Sequence, residues 1–411
     1  MKRLPVLFAL TFSCHLVMPS GKVPTEGPEQ GPVLETMTYN VGLAPGVEPY
    51  ATPRIKPIAQ ELAKFRGTGV MCIEEAWTRQ AKDEIIAAID LPPENIFYVD
   101  TIGQGDDLSN INVCKPGQLD GVAACAKSKC GSMPTEDQTR CAYQECKSEL
   151  ISLYGLMGGG EDCLDCLIAS VGTSLDTAFD ACTTPGHGVT HAYGGQNGEI
   201  LVSHFPLKNR ESILLPSSIA NRPALFATIE IDGREPIEVA CLHAATDGEV
   251  PPSHRGPDGQ KMFSSWDEEM NAQMDIVSER LKQRAGHRPQ LLLGDLNAGP
   301  ALGHGIGEDM PKVWSHIVSL GFTSPAAEAD HPFCSVCDDD TQRRLDMPNP
   351  GKALIDHVLV RDPHGGSTLI PMGTRRLFDT YHEAYYPGYD GRMVEGHLSD
   401  HYAVTVSFRY E

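Results

Sequence analysis

Residues 290–297, Gln-Leu-Leu-Leu-Gly-Asp-Leu-Asn, decide how the chain is read. Leu291 to Leu293 read as a strand that runs straight into Gly294-Asp295-Leu296-Asn297, so two polar side chains stand where an apolar strand stops. The same arrangement recurs. Asn40 follows the strand candidate Val33–Tyr39, Glu75 follows Val70–Ile73, and His243 ends Ile237–His243. Ser399-Asp400-His401 stands ahead of the closing strand Ala403–Phe408, and Asp356 lies within the strand Leu354–Val360. Polar groups at the ends of apolar strands suit a site in the crevice at a sheet edge, with scaffold behind them. Taken singly, each has a plain explanation: a turn cap for Asn40, an exposed strand-end acid for Glu75, a satisfied core histidine for His243.

Between these strands the pattern turns helical. Ile55, Ile58, Ala59, Leu62 and Phe65 share one face, and Gly67 and Gly69 end that helix. A second helix is expected from Asp267 to about Arg284, with Met270, Met274, Val277 and Leu281 inward. Ser265 and Glu268 have capping-box spacing at its start. Ile200–Ser203 and Leu225–Ile231 are further strands, and Asp232-Gly233 is a hairpin turn before Ile237. Strands alternating with helices are the mark of α/β layering, and a hydrophobic fraction of 41% is enough for a substantial core.

Residues 103–192 break this rhythm and read as a cysteine-rich, mainly helical insertion, with helical pieces at Cys141–Leu150 and Asp162–Val171. Of 13 cysteines, eight lie between Cys114 and Cys182, and Cys334 and Cys337 form another close pair. The intervals of ten and four residues among Cys125, Cys130, Cys141 and Cys146 suit a stapled pair of helices. Gly160, Cys163 and Cys166 resemble half of a zinc site, although disulfides are the better explanation in an exported chain. Cys72 and Cys241, within apolar runs, are expected to be buried thiols. Export is expected because Lys2 and Arg3 precede the apolar run Leu4–Phe12, the pattern of a signal peptide over residues 1–20. The alternative is a buried first strand. Residues 21–32 read as a linker and 33–411 as the main domain, in a secreted or periplasmic protein; lipid anchoring at Cys14 is the lesser alternative.

In order and wording, Thr38-Tyr39-Asn40, Ile73-Glu74-Glu75-Ala76-Trp77, Gly294-Asp295-Leu296-Asn297, Ile355-Asp356-His357 and Ser399-Asp400-His401 resemble the signature blocks of the endonuclease/exonuclease/phosphatase superfamily. The resemblance covers roughly residues 33–101 and 193–411. It implies a four-layered αββα sandwich of two packed mixed sheets, and a metal-dependent phosphodiesterase. It implies Glu75 as metal ligand with Asn40 beside it and Asp400 assisting; Mg²⁺ is the expected ion, with Ca²⁺ or Mn²⁺ as alternatives. It puts His401 in the role of base with Asp356 orienting it, while Asp295 and Asn297 position the water and a phosphoryl oxygen. Cys241-Leu242-His243-Ala244-Ala245-Thr246-Asp247 is similar to the block of pancreatic-type deoxyribonucleases and bacterial sphingomyelinases that supplies a second histidine, so His243 is the expected general acid. Arg222, in Asn221-Arg222-Pro223, falls where several relatives carry a phosphate-contacting arginine; a solvated loop cation is the alternative. Glu74 stands where relatives usually have Gln or Asn, and strand alternation turns it to the opposite face.

The formal net charge of −22 argues against a broad cationic footprint for nucleic acid. The Glu74-Glu75-Ala76-Trp77 wording is similar to that of neutral sphingomyelinases. Tyr381, Tyr385, Tyr386 and Tyr389 cluster before Ser399, where rings suit a membrane interface or an ordinary packed loop. The His243–Asp247 wording leans instead to secreted deoxyribonucleases. Expected substrates are therefore a phospholipid head group at a membrane surface or, as the alternative, nucleic acid, with no protein partner implied. A non-catalytic binding module that keeps the fold is the reading from another class. The Asp338-Asp339-Asp340 run reads as an exposed acidic loop, with Ca²⁺ binding as the alternative.

Overall fold

The computed structural model describes residues 33–65, 69–103, 114–154, 160–247, 252, 254, 260–346, 350–362, 369–388 and 391–410. The expected signal peptide, the linker, Cys14, Gly67 and Tyr389 lie outside the described residues, as does the side chain of Tyr385.

Strand β1 (Val33–Leu43) leads into α1 (Ala51–Leu62), β2 (Val70–Ala76), α2 (Arg79–Ile89) and β3 (Ile96–Tyr98). The cysteine-rich region follows as α3 (Asp120–Cys130), α4 (Thr135–Glu145), α5 (Lys147–Tyr154), α6 (Gly160–Ala169) and α7 (Leu175–Thr183). A single turn, α8 (Ala192–Gly195), returns the chain to β4 (Ile200–Ser203). Next come β5 (Lys208–Leu215), β6 (Arg222–Ile229), β7 (Ile237–His243), α9 (Trp266–Ala285) and β8 (Gln290–Asp295). Then follow β9 (Ile306–Gly307), α10 (Pro311–Ser319), α11 (Thr341–Asp346), β10 (Lys352–Ala353) and β11 (Asp356–Arg361). The chain closes with β12 (Leu369–Leu377), β13 (His382–Pro387), β14 (Met393–Gly396) and β15 (Ala403–Tyr410).

Two mixed sheets form the centre: six strands in the order β12-β15-β1-β2-β4-β3, and five in the order β11-β8-β7-β6-β5. Strand periodicity of two explains the layering. In β1 and β2, Met37, Tyr39, Val41, Met71 and Ile73 face the buried stripe of α1 and α2, formed by Ile55, Ile58, Leu62, Ile85 and Ile89. The alternate residues Leu34, Val70 and Cys72 face Leu225, Val239, Leu293 and Val358 of the other sheet. That sheet's outer face packs on Met270, Met274, Val277 and Leu281 of α9 and on Val313 and Ile317 of α10. This is the four-layered αββα sandwich. Helix α9 begins as its capping spacing predicts, with Glu268 N–H donating to Ser265 Oγ at 3.2 Å.

The cysteines bring one correction. Cys72 and Cys241 are not separate thiols; they form a disulfide across the sandwich, with Cα atoms 5.4 Å apart. Both side chains point into the space between the sheets from facing strands, which no local pattern reveals. In the insertion, Cys125–Cys146 and Cys130–Cys141 staple α3 to α4 as expected. Cys114–Cys163 and Cys166–Cys182 leave no sulfur for zinc, and Cys334 pairs with Cys337. The single helical piece expected over Cys141–Leu150 is divided, because Cys146 leaves the helical conformation (φ −115°, ψ 26°) between α4 and α5.

The Cys72–Cys241 bridge closes a loop across 169 positions of sequence, so it removes much of the freedom of the unfolded chain. The Cys72→Ala/Cys241→Ala double variant is expected to lose about 2–4 kcal/mol in urea unfolding. An unchanged midpoint would mean that the sandwich does not depend on this tie.

Candidate active site

The two sheets deliver the polar groups from opposite sides of one crevice. On the five-stranded sheet, His243, Asp295 and Asp356 occupy one rung, Asp295 pairing in register with each of the others. Residues on one rung project to the same side, so these three meet. From the six-stranded sheet come Asn40 at the end of β1, Glu75 near the end of β2, and Asp400 and His401 just ahead of β15.

Hydrogen bonds join the two halves. His401 Nδ1 and Asp356 Oδ2 are 2.8 Å apart, and Asn40 Nδ2 donates to Asp295 Oδ2 at 2.9 Å. His401 Nε2 lies 3.8 Å from Asp295 Oδ2 and 3.7 Å from Asp400 Oδ2. His243 Nε2 is 3.5 Å from Asp295 Oδ2, and its Nδ1 is 3.8 Å from Glu75 Oε1. Asn297 Nδ2 is 3.2 Å from His243 Nε2 and donates to Ala244 O, while Asn297 N–H donates to Asp295 Oδ1 at 2.9 Å. Arg222 opens β6, is buried, and donates to His243 O at 3.4 Å; it is not a solvated loop cation. All nine residues expected at the site therefore come together.

The local backbone is shaped for this. Glu75 takes a left-handed conformation (φ 63°), which breaks the strand alternation just after Glu74. Gly198 leaves room for that turn, since a Cβ there would stand 2.8 Å from Glu75 N. Asn297 is also left-handed (φ 48°), a conformation that Asn tolerates. Gly42 (φ 55°) admits Asp400, whose Oδ1 would lie 2.5 Å from an added Cβ. Gly42 N–H also donates to Asn40 Oδ1 at 2.9 Å, so Asn40 stands beside Glu75 with its nitrogen, rather than its oxygen, towards the carboxylates. Glu74 points between the sheets beneath the site and accepts from the Thr38 hydroxyl at 2.6 Å. Arg54 and Tyr193 escaped the sequence reading. Arg54 is wholly buried in α1 and donates to the carbonyls of Pro49, Val41, Gly42 and Leu398, tying the end of β1 to the segment before Asp400. The acidic run does not converge on a cation: Asp338 pairs with Lys352, Asp339 accepts from Tyr402, and the buried Asp340 caps α11.

Burial, and then the neighbouring Asp400, push Glu75 above the ordinary carboxylate range. Burial and Asp356 push Asp295 up to about 7. Burial, followed by Arg222 and His401, holds His243 well below the usual imidazole value and keeps it neutral. For His401 burial works the same way, but Asp356, Asp400 and Asp295 outweigh it and raise the ring well above its usual value. Crowded carboxylates of this kind fit a cation. Ligand atoms of Asp295, Asp356 and His401 lie within 4.8 Å of one another, a buried acidic and histidine group that could hold a metal ion. Cys72, Glu74 and Cys241 cluster equally closely, but their sulfurs are spent in the disulfide.

The sandwich and its crevice define the class: an αββα fold with its polar groups gathered where two mixed sheets meet. The fold is that of the endonuclease/exonuclease/phosphatase superfamily. It is similar to sphingomyelinase C from Streptomyces griseocarneus, with 15% identity and a TM-score of 0.50 over 92% of this chain and 99% of that one. It is similar to beta toxin from Staphylococcus aureus, at 13% and 0.51 over 91% and 99%. It also resembles an endonuclease/exonuclease/phosphatase family protein from Bacteroides thetaiotaomicron, at 12% and 0.50 over 93% and 99%. No family model matches the chain, and no curated protein matches it in sequence.

Because folding raises the His401 value, the stabilisation from its ion pairs is complete below the unfolded value of 6.5 and is lost as pH rises through the folded value. In chelated protein, His401→Gln is therefore expected to cost most stability near the acid end of the native range and progressively less in alkali. Urea unfolding of both proteins across pH checks this; a gap that widens with pH would contradict it.

Proposed function

We propose that the protein is a secreted, divalent-metal-dependent hydrolase of phosphodiester bonds, acting on phospholipid head groups in the manner of a sphingomyelinase or phospholipase C. The observation that carries this reading is the pair His401–Asp356, formed across the two sheets and facing Glu75, Asp400 and Asp295. Asp356 fixes the Nδ1 side of His401; the bare carboxylates hold the ring charged, and a cation among them would offset that charge and free Nε2 to accept a proton from the attacking water. Asp295 and Asn297 hold that water and one phosphoryl oxygen. Arg222 keeps its charge among Glu199, Glu75 and Asp295 and faces the phosphate. His243, held neutral, supports the leaving oxygen as a hydrogen-bond donor from its uncharged ring rather than as an imidazolium. Glu75 and Asp400 would hold the ion, Mg²⁺ first and Ca²⁺ or Mn²⁺ as alternatives, with Asn40 beside Glu75 and bonded to Asp295. A bound divalent cation supplies neutralisation of the phosphoryl oxygens and stabilisation of the leaving oxygen.

The choice of lipid over DNA rests on charge and on the rim. A net charge of −22 repels a polyanion, whereas a zwitterionic phosphodiester head group has no net charge to repel. Tyr381 and Met393, which flank the β13–β14 ladder ahead of Ser399, are each about half exposed, apolar surface that suits a membrane interface. Six disulfides fit an oxidising compartment, and no helix among the described residues is long and apolar enough to cross a membrane. Residues 33–411, interrupted by 103–192, are proposed as one catalytic domain with an insertion that walls the crevice.

The test is hydrolysis of sphingomyelin vesicles and of duplex DNA, each with Mg²⁺ and with chelator. Chelator-sensitive release of choline phosphate is expected, and His401→Ala is expected to lower kcat by about 100- to 10,000-fold. Strong DNA cleavage without choline-phosphate release would make the nuclease reading the better one.

A further inference from the structure

The insertion rejoins the sandwich through Tyr193, Gly194 and Gly195, three successive residues with positive φ (55°, 66° and 78°). Glycine adopts this conformation freely, but for a tyrosine it is strained, so the surroundings must hold it there. They do. Ala192 N–H donates to Ile219 O at 2.9 Å, and Asn221 Nδ2 donates to Gly103 O and Gly195 O, each at 2.9 Å. The neck of the insertion is thus tied to the residue next to Arg222.

This turn lays the Tyr193 ring on Trp77, with centroids 5.1 Å apart and planes 22° from parallel. Gly172 of the insertion closes on the same ring so tightly that a Cβ there would come within 2.9 Å of two ring carbons. Trp77 in turn has the Arg222 guanidinium 5.8 Å from its ring centre and the His243 ring 6.4 Å away. The ring is therefore clamped beside the crevice, yet its hydroxyl is buried and has no hydrogen-bond partner among the described residues. Glu75, Glu48 and Arg222 are the charged groups around it; burial and the negative charge of Glu75 keep the phenol protonated. A buried donor left unused is a desolvation loss that an anionic oxygen arriving at the site would recover.

We propose that the Tyr193 hydroxyl contacts the substrate, donating a hydrogen bond to a non-bridging oxygen of the phosphate that binds between Glu75 and Arg222. This inference rests on the phosphodiesterase reading and deepens it: the insertion supplies one of the groups that bind the reacting phosphate. The donor is already desolvated and its ring is held between Trp77 and Gly172, so the donor itself need not reorient when charge develops on the phosphoryl oxygens.

The test uses the full chain with Tyr193→Phe, which keeps the stacked ring and removes only the hydroxyl, beside Tyr193→Leu, which removes the stacking as well. With saturating Mg²⁺, calorimetric binding of inorganic phosphate is expected to weaken about tenfold in Tyr193→Phe. On a diester that the wild type cleaves, kcat is expected to fall about 100-fold. The Mg²⁺ affinity is expected to stay within about twofold, and the melting temperature to drop only in Tyr193→Leu. Unchanged phosphate affinity in Tyr193→Phe would overturn the proposal, as would a wild type that binds no phosphate. Loss of Mg²⁺ affinity with phosphate binding intact would also overturn it, by showing that Tyr193 acts through Glu75. A wild type that binds phosphate but cleaves no diester would remove the enzymatic reading alone, and the phosphate comparison would still decide the role of Tyr193.

Discussion

Five carboxylates converge where the two sheets open: Glu74, Glu75, Asp295, Asp356 and Asp400. Their mutual repulsion is the constraint around which the rest of the molecule is arranged. Two unit charges 4 Å apart interact by about 4 kcal/mol at the effective dielectric of a partly buried site. Burial adds to that cost and raises Glu74, Glu75 and Asp295 together. His401, Arg222 and, beside Asp400, the buried Arg54 bring positive charge close by, and the scaffold must carry the balance.

The scaffold does so by fixing the strands that bear these groups. Directly beneath Glu74 and Glu75, the Cys72–Cys241 bond joins β2 to β7, the strand that ends in His243. Behind the crevice, Arg54 binds carbonyls at the end of β1 and at Leu398. Gly42 and Gly198 remove the side chains that would hold Asp400 and the turned backbone of Glu75 away. Each device holds a backbone segment against a charge that would move it. Their concentration on one edge of the sandwich argues that the charge cluster is kept for a purpose, since replacing buried charges with apolar residues is often neutral or stabilising.

Much of the architecture was legible because local patterns report it. The period of two in Ile237–His243 and the helical spacing of Met270, Met274, Val277 and Leu281 depend only on near neighbours. Asn40, Glu75, His243, Asp295, Asp356 and His401 stood out as polar residues on or beside apolar strands. What stayed hidden depends on residues distant in sequence. Cys72 and Cys241 lie in ordinary strand runs, and only the stacking of two sheets makes them partners. Arg54 occupies the buried side of an amphipathic helix, where a cation contradicts the pattern, because its partners are backbone carbonyls from three other segments. Tyr193 precedes Gly194 and Gly195 with nothing local to mark it; its position follows from the positive φ values and from Trp77, more than a hundred residues earlier.

The division of labour between the sheets gives the fold its functional logic. Asn40, Glu75, Asp400 and His401 belong to one sheet; Arg222, His243, Asp295, Asn297 and Asp356 belong to the other. Neither sheet alone holds a base with its orienting carboxylate, because the 2.8 Å contact between His401 and Asp356 crosses the interface. A slide of one sheet over the other by about 1 Å would part this pair and the Asn40–Asp295 bond together, and misplacement of that size is enough to cost a reaction about 100-fold. The close-packed layer between the sheets, with Leu34, Val70, Leu225, Val239, Leu293 and Val358 buried and a covalent tie in its midst, is therefore also the part that sets the geometry of the chemistry. Stability and activity are properties of the same interface, so substitutions deep in that layer should act on the site without touching it.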